Sequence, residues 1–126
     1  MKLSIKIDAG KKLRIHTVTG KLNLDLLVKK LQEIYNRSDF QPDINSIWDL
    51  RGADVSSFSF EDIIQLREFV SGHWGISGDS KSALVVAQEV DFGLGRMYAS
   101  LLESKTPNKI NIFRDIEEAY KWISAH

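Results

Sequence analysis

A chain of 126 residues suffices for one domain that buries roughly two thirds of the surface its unfolded form exposes, with no metal or disulfide staple required. Seventeen basic and seventeen acidic residues cancel, so no long-range positive field gathers phosphates and nucleic acid is not an expected partner. Cysteine is absent, which removes disulfides, thiolate metal sites and cysteine nucleophiles together and agrees with a reducing compartment.

The N-terminus, Met1 to Lys6, alternates charge with apolar residues where a secretory signal needs an unbroken apolar run. No segment approaches the ~20 apolar residues of a membrane span, and a cytoplasmic protein is expected. Leu3, Ile5 and Ile7 alternate with polar residues, Asp8-Ala9-Gly10-Lys11 supplies turn chemistry, and Leu13 and Ile15 resume the alternation as far as Val18; this is a β-hairpin. After Gly20, Asn23 caps a helix in which Leu24, Leu27, Val28, Leu31, Ile34 and Tyr35 share one stripe. Ser38 to Pro42 breaks it. Ile44 to Leu50 then reads as a strand in which Ile47 and Trp48 are adjacent, as suits a strand covered on both faces.

Phe60 to Trp74 is the next helix, carried by Ile63, Ile64, Leu66, Val70 and Trp74. Ser71 to Lys81, with its glycines and serines, is the longest flexible connection, and Ala83 to Val86 follows as a charge-free strand suited to a buried, parallel position. A helix from Asp91 to Glu103, a strand from Ile110 to Phe113 and a helix from Ile116 to Ser124 complete the order ββαβαβαβα. The expected fold is a single α/β domain with a mixed sheet, an antiparallel hairpin first and parallel βαβ crossovers after it.

Three segments, "IWDLRGADVSSFSFEDI", "ALVVAQEVDFGLGRMYA" and "INIFRDIEEAYKWI", together with this element order, resemble the STAS-like (SpoIIAA-like) group of small bacterial domains. That group is shared by sulphate transporters and anti-sigma-factor antagonists, and this chain looks most like its stand-alone, uncharacterised branch. The resemblance spans almost the whole chain and implies a non-catalytic regulatory or protein-interaction module. Some members have been compared in architecture with CRAL-TRIO lipid-binding domains, which makes a carrier or sensor for a small apolar or anionic ligand the alternative.

In the antagonists, an Asp-Ser-Ser-Gly turn carries a serine phosphorylated at the start of a helix. Ser59 is the nearest match here and so the candidate for phosphorylation, as a helix N-terminus favours negative charge. The motif is incomplete: no Asp precedes Ser56-Ser57, and Phe60 stands in the glycine position. Ser59-Phe60-Glu61-Asp62 is at the same time a capping arrangement, and that is the leading reading. The strand ends place Asp49 and Arg51, Gln88 and Glu89, and Arg114 and Asp115 on one rim, where open α/β sheets bind ligands. The same charges can instead pair with one another, and Asp115 can cap the last helix.

Gly93-Leu94-Gly95-Arg96 lacks the spacing and the Lys-Ser/Thr of a phosphate loop; close helix-to-sheet packing is the expectation. On that helix Phe92, Gly95, Ala99 and Leu102 form one stripe and Leu94, Met97, Tyr98 and Leu101 a second. Together they exceed the roughly 100° a helix on a sheet needs. The second stripe, with Arg96 beside it, therefore calls for a neighbouring helix, a homodimer partner or an apolar ligand. Arg67, in the apolar stripe of the preceding helix, either lays its stem over the core edge or pairs with Asp49 or Asp54. His16, His73 and His126 lack metal-site spacing and there is no Gly-x-Ser-x-Gly elbow. No catalytic site, metal or cofactor is expected.

Overall fold

The computed structural model describes residues 1–8, 10–41, 44–73, 80–103 and 109–125. Nine elements follow the expected order: β1 (Lys2–Asp8), β2 (Leu13–Lys21), α1 (Leu24–Tyr35), β3 (Asn45–Asp54), α2 (Phe60–His73), β4 (Lys81–Val85), α3 (Glu89–Glu103), β5 (Lys109–Phe113) and α4 (Ile116–Ser124). Trp74 and most of the glycine-rich connection lie outside the described residues.

The five strands stand in the order β1-β2-β3-β4-β5, with β1 antiparallel to β2 and every other pair parallel. Each crossover thus moves one strand in the same direction. Crossovers of one hand then place α1, α2 and α3 on the same face of the sheet, where Leu27, Leu31, Val70 and Ala99 meet Val18, Leu84 and Ile112. Helix α4 returns beneath the opposite face and buries Ala119 and Ile123 against Leu13, Ile47, Ala83 and Val85. Adjacent Ile47 and Trp48 accordingly face different layers, as a strand covered on both faces requires.

Strands β2 and β3 run further than the alternation suggests. Thr17 pairs with Asp49 but Thr19 with Gly52, so β3 carries one extra residue in a bulge. The period-2 pattern is lost there, and pairing resumes beyond it to Lys21 and Asp54. At Gly52 an added Cβ would stand 3.1 Å from the Thr19 side chain, a close approach that glycine permits.

Helix starts carry their caps. Asn23 Oδ1 accepts the Leu26 N–H at 3.0 Å, and Asp115 Oδ1 accepts the Glu117 N–H at 2.9 Å. Gly95 packs α3 onto β5, with its hypothetical Cβ 3.1 Å from Ile112 Cδ1. This is the small-residue contact expected of the Gly93–Arg96 stretch.

Candidate functional site

A cavity of ≈ 140 Å³ lies between the sheet and the three helices on its face. Its walls are apolar: Leu27 and Leu31 from α1, Leu66 and Val70 from α2, Leu94 and Tyr98 from α3, with Trp48, Leu84 and Val86 as its floor. An apolar cavity of about 150 Å³ stays dry and admits a benzene ring. The lining extends along the strands from Ser82 to Val86 on β4, about 13 Å at the rise of a β-strand, and across them from Arg14 on β2 to Ile110 on β5.

One end is polar. Arg14, on β2, is 3 % exposed and lines the cavity. Its Nε donates to His16 Nε2 at 3.2 Å, its Nη1 donates to the Gln41 carbonyl at 3.2 Å, and its guanidinium lies 4.8 Å from the centre of the Phe40 ring. No carboxylate pairs with it among the described residues. Burial lowers its pKa from the ordinary arginine value, and that is the largest influence on it. His16 stacks on Trp48 with ring centres 3.9 Å apart. Burial first, and the Arg14 charge second, hold its pKa at about 3. The imidazole is therefore neutral, with Nε2 as the acceptor for Arg14 and the proton on Nδ1. Burial raises the Tyr35 phenol to about 12 and lifts Tyr98 as well. In the same row of the sheet as Arg14 the hydroxyls of Ser46 and Ser82 meet at 3.0 Å, and Ser82 also faces the cavity.

No family model matches the chain, and no curated protein matches it. A solved structure does: an uncharacterised protein from the DUF3478 family with a SpoIIAA-like fold, from Shewanella loihica PV-4. It aligns with a TM-score of 0.61 and 17% identity over 97% of this chain and 92% of that one. This chain has a SpoIIAA-like fold. At that identity the likeness establishes architecture, with its five-stranded sheet and four helices.

Within this SpoIIAA-like fold the expected rim is closed by its own charges. Arg51 clasps Asp49 through two hydrogen bonds of 2.9 and 2.8 Å, and Arg114 bonds Glu89 at 2.7 Å and the Ala87 carbonyl at 3.0 Å. The Arg51 bond holds the Asp49 carboxyl below its usual range. Ser59 and Asp62 form a reciprocal capping box: Ser59 Oγ accepts the Asp62 N–H at 3.1 Å, and Asp62 Oδ2 accepts the Ser59 N–H at 2.9 Å. Ser56 and Ser57 are exposed on the turn, where the Ser56 N–H donates to Asp54 at 3.0 Å. Arg67 pairs with its neighbour Glu68, and neither Asp49 nor Asp54 forms an ion pair with it.

The second stripe of α3 divides. Leu94 and Tyr98 turn inward and line the cavity beside α2, so for this half of the stripe a neighbouring helix of the same chain is at hand. Met97 and Leu101 are half-buried, and Arg96 is exposed with its guanidinium 6.0 Å from the centre of the Phe92 ring. The Leu102 side chain lies outside those described. A second recess, between α3 and β5, is lined by Arg96, Ser100 and Asn111 among others, all exposed, so it is a surface groove. No group of three or more potential metal ligands occurs among the described residues, and no described helix is long and apolar enough to cross a membrane.

The residues that sequence reasoning passes over are Arg14, Tyr35 and Ser82. Alternation in β2 assigns Leu13 and Ile15 to a core and Arg14 and His16 to the opposite, polar face. Because β2 is an interior strand lying under the helices, that opposite face is buried as well. The available signal was the parallel position of β2 beside β3.

Proposed function

We propose that this SpoIIAA-like domain is a non-catalytic carrier or sensor that holds a small, largely apolar ligand between its sheet and the helices α1, α2 and α3. The observation that carries this is the ≈ 140 Å³ apolar cavity. Left empty, a cavity of that size costs about 3 kcal/mol of lost packing, a deficit that a ligand relieves by filling it. His16 serves as a neutral, stacked acceptor for Arg14 and not as a base near a nucleophile, in keeping with binding without chemistry. Native mass spectrometry of protein purified from its own host, then of protein titrated with 1-octanol, tests the reading. One bound molecule per chain supports it; a chain that takes up neither a native ligand nor the alcohol refutes it.

A regulatory interaction role is the second reading, favoured by the outer surface. Phe60 is 54% exposed and Leu26 44% exposed, and they sit at the first turns of α2 and α1. Both helices also wall the cavity, so occupancy can bias a partner contact made through these side chains. Sedimentation of wild-type protein and of Phe60→Ser over a hundredfold concentration range separates self-association from a monomer. A concentration-independent monomer in both removes the homodimer form of this reading.

A further inference from the structure

We infer that the ligand of this cavity is an aliphatic monocarboxylate whose head group sits on Arg14 and whose tail lies along strands β3 and β4. The inference rests on the cavity reading above and adds the chemical class. Arg14 is 3 % exposed and lines an apolar space, with no acidic partner among the described residues. A buried cation is ordinarily paired, since removing a charge from water costs several kcal/mol. Nε and Nη1 are committed to His16 and the Gln41 carbonyl, which fixes the plane of the guanidinium and leaves Nη2 without an acceptor among the described residues. One fixed donor group carrying one charge suits a monoanion. A dianionic phosphate would bring a second charge into a space with no second cation to meet it.

Asp39, which lies outside the cavity lining and whose charge acts on Arg14 only as a minor influence, is engaged by Arg37 through bonds of 2.8 and 2.9 Å. The other charged residue on the lining, Asp91, belongs to the first turn of α3, beyond the C-terminal end of β4. Arg14 stands at the opposite end, in the row of Ser46 and Ser82. These ends are about 13 Å apart along the strands, so an acid entering the cavity is drawn to one end and repelled at the other. The lining is mainly Leu, Ile and Val, which suits an aliphatic tail, and the volume suits one of about six to eight carbons.

Three probes of equal length decide the matter: octanoate, 1-octanol and octylammonium, each titrated calorimetrically into the full chain at neutral pH. Octanoate is expected to bind about 10- to 100-fold tighter than octanol, the worth of a buried charge-assisted hydrogen bond, and octylammonium, whose head group Arg14 repels, is expected to bind more weakly than octanoate. Arg14→Met should abolish the preference while octanol still binds, which also shows that the variant folds. Equal binding of acid and alcohol by the wild type overturns the assignment of a carboxylate and leaves the cavity reading standing. Absence of binding by any of the three overturns both. Because the comparison is made first on the wild type, it holds even where Arg14→Met fails to fold.

Discussion

The neutral state of His16 has a thermodynamic consequence that can be worked out in advance. Its folded pKa of about 3 lies below its ordinary value of 6.5, so the unfolded chain binds a proton that the folded chain refuses. Stability is thus fully present above about pH 6.5 and is lost as pH falls toward 3, at about 1.4 kcal/mol per pH unit. Between pH 8 and pH 5 the expected loss is about 2 kcal/mol, a large share of the 5–15 kcal/mol that domains typically possess. Asp49, held low chiefly by its bond to Arg51, contributes with the same sign but only below about pH 4, so it adds little between pH 8 and 5, and comparison with His16→Gln isolates this histidine. Urea unfolding at those two pH values, on the wild type and on His16→Gln, measures the difference. The amide oxygen keeps an acceptor for Arg14 and does not titrate, so the variant should lose most of the pH dependence. A wild type equally stable at both pH values, or a variant with the same slope, would refute the assignment of a buried neutral imidazole.

Replacing Ser59 by Ala should lower unfolding free energy by about 1 kcal/mol, read from the urea midpoint, because it removes one half of the capping box with Asp62. Gly95→Leu drives a side chain into Ile112 and should cost about 1–3 kcal/mol, lowering the midpoint of thermal melting. Leu84→Phe, on the cavity floor, should raise stability by about 0.5–2 kcal/mol and weaken octanol uptake measured by calorimetry; a destabilised variant would show that the space is smaller or more rigid than described.

Local signals were legible where one element decides them alone. The stripe of α1, the Asn23 and Ser59 caps and the two-faced burial of Ile47 and Trp48 can all be read from residue spacing. Legibility ended where a second element intervenes. Whether Leu94 and Tyr98 are covered depends on α2, which is not neighbouring in sequence. Arg14 and His16 look like the wet side of a hairpin until β3 is placed beside β2 and the helices above it. The rim charges Asp49, Arg51, Glu89 and Arg114 were foreseen with both outcomes open, and their mutual pairing follows from short separations that spacing does not encode. Buried polar groups carry no periodic signature, so the polar end of the cavity emerged only from the assembled layers.

The most direct test of the central claim is a methyl-detected NMR titration of the full chain with 1-octanol. Binding within the fold should move the methyl resonances of Leu31, Val70, Leu84 and Leu94 together at a single saturable site, since these side chains from α1, α2, β4 and α3 line one cavity. Shifts confined to Leu26 and other outer positions, with the interior methyls unmoved at saturation, would contradict it.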